Sequence, residues 1–196
     1  MKLAFIYLAS GFARRFGSNK LLRLLAGRPL YQHGFNVLVA VGKELRNKGN
    51  QVELLVVSQY TEILAWCKSQ GAVDIYNGQS SEGIAAGMKL GIKAAQQADA
   101  YLFCVADQPF LQVKTLLNLA NDFIQGKGTL GCPGNVNRQG NPKIFAASYV
   151  PELLALTGDK GGQMVFQRHL AEAFYVKVQD KELRDIDTIA EWQSIK

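Results

Sequence analysis

The sequence is poor in the residues on which several chemistries depend. Its 196 residues include three cysteines, Cys67, Cys104 and Cys132, and two histidines, His33 and His169. The cysteines are odd in number, widely spaced and without a C-x-x-C pair, which argues against both a disulfide framework and a zinc site. They read as reduced, buried thiols. The histidines are isolated and read as structural, and no Ser-His-Asp or Cys-His arrangement can be assembled, so covalent catalysis finds little support. No apolar run approaches the roughly eighteen residues of a membrane span, and the N-terminus shows neither the h-region nor the cleavage site of a signal peptide. A cytoplasmic location without membrane partners is the expectation. Internal repeats, low-complexity tracts and linkers are also missing, so residues 1–196 are read as one domain.

What is present is ordinary for a folded chain, with 48% hydrophobic and 19% charged residues. The net charge of +6 comes from 22 basic and 16 acidic side chains. Outside positions 14–28 the basic residues are scattered, and no RNP, zinc-finger or basic-helix pattern accompanies them, so nucleic acid is not the expected partner. A cationic cleft for small anionic substrates accounts for the excess.

The N-terminal run at 2–9 is nearly all apolar, as expected of a strand buried on both faces within a parallel sheet. A glycine-bearing cationic loop follows. Gly11 lets the backbone turn N–H groups toward a ligand, and Arg14, Arg15 and Lys20 place three positive charges within seven positions. Such a loop suits phosphates, although its spacing is neither a Walker A loop nor G-x-G-x-x-G. The plainer reading is a buried strand followed by a solvated basic loop.

Strands and helices then alternate. A helix opens at Gly27-Arg28-Pro29 and runs to the polar break at 46–50, a strand covers 51–57, a helix Thr61–Ser69 and a short strand Val73–Tyr76. Residues 77–91 form a small-residue loop leading into a helix, whose N-terminus favours an anion. The apolar strand at 100–106 ends in Asp107-Gln108-Pro109. A carboxylate there sits where open α/β sheets bind ligands, or serves simply as a helix N-cap. Further on come an amphipathic helix over Val113–Ile124, strands at 129–133 and 174–178, and a turn-rich loop at 135–142. A capped helix closes the series at 185–192, with Asp187 read either as its N-cap or as a functional carboxylate. The order describes an α/β fold, three-layer α/β/α with a mostly parallel, Rossmann-like sheet.

Leu8-Ala9-Ser10-Gly11, then Arg15-Phe16-Gly17 and Lys20, resembles the signature loop of the MobA-like nucleotidyltransferases, which include molybdenum cofactor cytidylyltransferase and its guanylyl relative. Asp107-Gln108-Pro109, Gly140-Asn141-Pro142 with Phe145, Gly158-Asp159-Lys160-Gly161, and Asp185-Ile186-Asp187-Thr188 match shorter motifs of that family in the same order. The resemblance implies a sheet of the nucleotide-diphospho-sugar transferase type and a Mg²⁺-dependent enzyme. It implies transfer of CMP from CTP to the phosphate of molybdenum-bound molybdopterin, with release of pyrophosphate. The Arg-Phe-Gly triplet favours the cytidylyl branch.

Carried onto this chain, the resemblance makes Arg15, Lys20 and Asp107 catalytic. Leu8, Ala9, Ser10, Gly11, Arg15, Lys20, Gly78, Ser81, Gly83 and Asp107 would bind the nucleotide. Gln108, Pro142, Gly158, Asp159, Gly161 and Asp185 would face the acceptor, and Asp107 with Asp187 would hold Mg²⁺. A molybdenum hydroxylase is the implied partner enzyme. Four positions depart from the family: Ser10 replaces Ala or Gly, Gly83 a serine, Lys143 an apolar residue and Gln163 an arginine. Gly83 is expected to lose a side-chain contact, and Lys143 is read as a solvated edge residue in preference to an extra phosphate contact. Gln163 is expected to forfeit a bidentate phosphate clamp, with Lys160 as the candidate to compensate. Two other readings remain: a related nucleotidyltransferase using GTP or a sugar or small-molecule phosphate, and a non-catalytic accessory protein that binds cofactor.

Overall fold

The computed structural model describes residues 1–10, 19–95 and 97–194. The expectations for Gly11 and Arg15 therefore lie outside the described residues.

The strands, in chain order, are β1 (Lys2–Leu8), β2 (Leu24–Leu25), β3 (Arg28–Pro29), β4 (Gln51–Ser58), β5 (Val73–Tyr76), β6 (Ala100–Val105), β7 (Leu130–Asn135), β8 (Arg138–Gln139), β9 (Lys143–Ala146) and β10 (Ala173–Val176). The helices are α1 (Leu30–Asn47), α2 (Thr61–Ser69), α3 (Ile84–Ala94), α4 (Val113–Ile124), α5 (Val150–Ala155), α6 (Gln163–Arg168) and α7 (Ile189–Gln193). The main sheet runs β10-β7-β9-β6-β1-β4-β5, with β8 paired to β7 and β2–β3 a separate ribbon.

Strand β1 lies at the centre, parallel to both β4 and β6, so its backbone is bonded on each edge. Its side chains divide between two cores. Leu3, Phe5 and Tyr7 pack among residues of α1, α2 and α4, while Ala4, Ile6 and Leu8 pack among those of α3, α5 and α6. An apolar residue is thus required at every position, which is why the run does not alternate. Helix α1 buries Leu30, Tyr31, Phe35, Leu38, Val41 and Leu45, the three-and-four spacing of one helical face. On the opposite layer α3 comes so close to β1 that a Cβ at Gly91 would lie 2.5 Å from Ile6 Cγ2.

The sheet is mostly parallel, as expected; the short β8 pairs antiparallel with β7 at its margin, and β9 is an inserted exception within it. Strand β9 runs antiparallel to both β6 and β7. Its start, at Lys143, pairs with Phe103 near the carboxyl end of β6. The turn at 140–142 is thereby placed on the same edge of the sheet as the ends of β1, β4, β5 and β6. The C-terminal helix begins later than the sequence pattern indicates. Thr188, not Asp187, is the N-cap of α7, in a capping box with Glu191.

Candidate functional site

At the carboxyl edge of the sheet each central strand ends in polar residues, and these bind one another. Ser58 Oγ donates to the Ala9 carbonyl at 2.7 Å, and Gln59 Nε2 to the Ser10 carbonyl at 3.0 Å. Asn77, buried after β5, donates to Ser10 Oγ at 3.2 Å and accepts from the Gln79 amide at 3.1 Å. Ser80 Oγ donates to Gln59 Oε1 at 2.9 Å. Ser10 is therefore integrated into this lattice. Its hydroxyl, donating to the Val57 carbonyl, ties the loop after β1 to the ends of β4 and β5.

A cleft of about 330 Å³ opens above this layer, lined among others by Ser10, Lys20, Ser81, Gly83, Asp107 and Asp159. Its size is that of a small-molecule pocket. Leu8 contributes to its floor. Ala9 is fully buried beneath it.

Lys20 is the hub of the cleft. It sits at the first position of a short 3-10 turn capped by the Asn19 side chain, and only 6% of the residue is exposed. Its ammonium donates to Asp107 Oδ2 at 2.9 Å, to the Ile186 carbonyl at 2.9 Å and to Asp187 Oδ1 at 2.7 Å. All three N–H bonds are engaged. Burial alone would lower its pKa, but the charges and hydrogen bonds of Asp107 and Asp187 outweigh this, and the net shift is upward. Lys20 stays charged.

The alternative N-cap role for Asp107 does not hold, because the N-cap position of α4 is Gln112 and the Asp107 carboxylate is bound to Lys20. With Thr188 capping α7, Asp187 is equally released from a capping role. Both carboxylates converge on one nitrogen, and their side chains remain 26% and 53% exposed. Although bound to the buried ammonium, each keeps a partly exposed carboxylate, the kind of hard oxygen donor that would hold Mg²⁺, which is typically bound by one or two carboxylates with water and substrate phosphate completing its shell. Among the described residues no group of three or more His, Cys, Asp or Glu side chains could hold a metal by itself.

Beside this centre lies a second polar group. Gln108 Nε2 donates to Asp185 Oδ1 at 2.6 Å, with Gln108 itself buried. Asp185 is exposed as a residue, but its carboxyl is turned against Gln108. Burial there, reinforced by the Asp107 carboxylate, pushes its pKa up to about 6. Lys143 corrects an expectation: it is not a solvated edge residue but 5% exposed, donating to the Gly140 carbonyl at 2.8 Å and to Asn141 Oδ1 at 3.1 Å. Burial pushes its pKa down to about 8. The antiparallel entry of β9 causes this, carrying the first residue of an edge-like sequence into the sheet interior. Pro142, buried next to it, lies in the same turn.

The expectation for Gly83 also changes. Its φ is +95°, and a Cβ would lie 2.4 Å from both the carbonyl carbon and oxygen of Gly158 and 2.6 Å from Asp159 Oδ1. The Ala85 amide donates to that Gly158 oxygen at 3.1 Å. Instead of losing a side-chain contact, glycine permits backbone docking between the loop before α3 and the loop before α6. Gln163 donates to Gln139 Oε1 at 2.8 Å, and Gln167 donates to the same oxygen at 2.5 Å. Lys160 is exposed, as are Gly78 and Gly158, while Gly161 packs near Ile84.

Ser58, Gln59, Asn77 and the Ile186 carbonyl belong to the site but were not expected from the sequence. The only available signal was a polar residue directly following each apolar strand. The three thiols are buried away from the cleft surface, and that burial raises their pKa values, so none is poised as a nucleophile.

A profile of the MobA-like NTP transferase domain matches residues 5–173. No curated protein sequence gave a significant match. Among solved structures, Rv0371c from Mycobacterium tuberculosis H37Rv superposes with a TM-score of 0.83 at 17% identity, covering 98% of this chain and 96% of the other. Its manganese complex gives 0.77 at 15% identity, covering 100% and 98%. A nucleotidyl transferase from Methanothermobacter thermautotroptrophicus gives 0.80 at 18% identity over 98% and 95%. Molybdopterin-guanine dinucleotide biosynthesis protein A from Archaeoglobus fulgidus gives 0.63 at 17% identity over 100% and 96%. At these identities the superpositions establish the fold alone.

Proposed function

The chain belongs to the MobA-like NTP transferase family, and on that premise we propose that it transfers CMP from CTP to the phosphate of molybdenum-bound molybdopterin, releasing pyrophosphate. The observation that carries this reading is Lys20 held between Asp107 and Asp187 at the cleft. It gathers a fixed cation and two hard anionic ligands where a triphosphate would lie. The manganese bound by Rv0371c and the molybdopterin chemistry of the Archaeoglobus protein accord with a divalent cation and a pterin acceptor. The Arg15-Phe16-Gly17 sequence favours CTP over GTP.

In this scheme an oxygen of the acceptor's phosphate attacks the α-phosphorus of the nucleotide. A new P–O bond forms in line as the bond to the β-phosphate oxygen breaks, and pyrophosphate departs with that electron pair. An acceptor phosphate that is already ionised needs no general base. The residues supply position and charge, which dominate phosphoryl-type catalysis. Ser10, Ser81 and Gly83 orient the nucleoside. Lys20 and Arg15 stabilise charge on the phosphates, while Gln108, Asp159 and Asp185 orient the acceptor. Asp107 and Asp187 would hold Mg²⁺, which when bound would supply neutralisation of the triphosphate's charge.

A second acceptor is favoured by one observation. Where the family places a guanidinium, this chain has the Gln139, Gln163 and Gln167 amides bonded together. Such a group offers neutral hydrogen bonds and no fork for a dianion, which suits a sugar or small-molecule phosphate bound through its hydroxyls.

Pyrophosphate release tests both readings, measured with Mg²⁺ and CTP, GTP, ATP or UTP, with and without molybdenum-loaded pterin. Release with CTP that requires the pterin supports the first. Release only with another phosphorylated acceptor supports the second. Nucleotide binding without turnover on either acceptor would indicate an accessory protein that presents cofactor to a molybdenum hydroxylase. A cytoplasmic, single-domain enzyme without nucleic-acid partners completes the proposal, and no helix among the described residues is long and apolar enough to cross a membrane.

A further inference from the structure

Helix α4 begins without help from its own sequence, because its N-cap, Gln112, makes no side-chain capping bond. The missing acceptor comes from the other end of the chain. Glu182, 3% exposed, accepts from the Gln112 amide at 3.1 Å and from Thr115 Oγ1 at 2.7 Å, both through Oε2. A carboxylate at that place also meets the positive end of the helix dipole.

Glu182 belongs to a 3-10 turn, Asp180–Leu183, and Asp187 follows it by five residues. The next residue, Leu183, packs so closely over Gly140 that a Cβ there would lie 2.4 Å from Leu183 Cδ2. The strand-to-helix connection that starts at Asp107 and ends at Gln112 is thus gripped at both ends by one C-terminal segment. At the far end Glu182 holds Gln112. At the near end the Ile186 amide donates to the Asp107 carbonyl at 3.1 Å. Between these two grips the segment has little freedom to slide, and the Ile186 carbonyl and Asp187 carboxylate are delivered to Lys20.

We infer that Glu182 is a positioning residue: by docking the C-terminal segment on α4, it sets the separation of Asp187 from Asp107. It does not line the cleft. Residues that orient carboxylate ligands from behind commonly alter metal affinity by about 10- to 100-fold. This inference rests on the reading of Asp107 and Asp187 as a cation-binding pair.

The test uses the full chain and Mn²⁺ as the probe, with binding followed by electron paramagnetic resonance. The variants are Glu182→Ala, Glu182→Gln, Thr115→Val and Asp187→Asn, each also measured for kcat, nucleotide KM and melting temperature. Glu182→Ala is expected to weaken Mn²⁺ binding by about tenfold and to lower kcat to match, with nucleotide KM changed less than about twofold. Glu182→Gln keeps an acceptor oxygen and should restore most of the affinity, with Thr115→Val falling between. If Glu182→Ala only lowers the melting temperature, leaving Mn²⁺ affinity and kcat at wild-type values, the inference is overturned. Should that variant fail to fold, unchanged Mn²⁺ affinity in Thr115→Val overturns it equally. Asp187→Asn separates the two levels: if it binds Mn²⁺ like wild type, or if wild type binds none, the cation-pair reading itself fails and Glu182's role falls with it.

Discussion

Lys20 and Asp187 are 167 positions apart in the sequence, and their side chains meet at 2.7 Å. The contact is one arm of a three-acceptor arrangement that leaves the lysine 6% exposed. Removing one partner from a buried ion pair commonly costs about 3–5 kcal/mol, because the other charge is left uncompensated. Here both carboxylates retain access to solvent, so the cost should fall below that range.

Lys20→Met is expected to lower turnover by about a hundredfold or more, the scale of losing a preorganised electrostatic contact. It should bind Mn²⁺ more tightly than wild type in the absence of nucleotide, since the ammonium competes for the same two carboxylates. Steady-state pyrophosphate release and a Mn²⁺ titration read the two effects separately. Weaker Mn²⁺ binding would contradict a shared site.

Asp187 and Thr188 are neighbours with separate duties, and their variants should dissociate accordingly. Asp187→Asn keeps the Thr188 capping box and is expected to leave stability within about 1 kcal/mol while depressing turnover. Thr188→Ala removes the cap and should cost about 1 kcal/mol of stability, with turnover little changed. Urea denaturation beside initial rates decides the point. If both lose stability and activity alike, the two roles are not separable.

Gly83→Ala places a side chain at φ +95° and against the Gly158 carbonyl. Strain and overlap together should destabilise the chain by about 2–4 kcal/mol. Gly83→Ser should do no better, although serine is the residue suggested by the family pattern. A Gly83→Ser protein as stable as wild type would show that the two loops dock differently.

Lys143 gives a dependence on pH. Its folded-state pKa of about 8 lies below the usual 10.5. Between these values the unfolded chain binds more protons, so this group makes stability rise with pH across that interval. Below pH 8 both states are protonated and the full penalty of burying the charge remains. Relative to wild type, Lys143→Met is therefore favoured most below pH 8, and its advantage should shrink by up to roughly 3 kcal/mol by pH 10.5. Denaturant midpoints at pH 7, 9 and 10.5 provide the measurement, and a constant difference would rule out a depressed lysine.

The layers and most strands were legible because burial on both faces leaves a continuous apolar run, as in β1 and β6. The reversed direction of β9 left no such trace, since Lys143-Ile144-Phe145 reads the same in either orientation. Lys143 was misread for that reason: a lysine at the start of a short strand looks solvated until a neighbour closes over it. Lys20 stood out within a cationic loop and Asp107 at the end of a buried strand, but their roles came from the family resemblance, and the N-cap alternative for Asp107 was removed only by geometry. Asp187 could not be separated from a cap, because Asp and Thr are both good caps and only geometry assigns the task to Thr188. Glu182 gave no local signal at all, since the helix end it serves is Gln112, seventy positions earlier.

The pairing of Lys20 with Asp187 also orders events during synthesis. At ribosomal rates of about 5–20 residues per second, Lys20 is made roughly ten to thirty seconds before Asp187. In the second half of that interval, once β6 and Asp107 have been made, β1 and β6 can pair and Asp107 can be reached, but the lysine still lacks two of its three final acceptors. Its ammonium must keep water in their place. The nascent protein can therefore acquire most of its sheet while the cleft stays wet, and Lys20 gains its full set of acceptors only when Ile186 and Asp187 arrive.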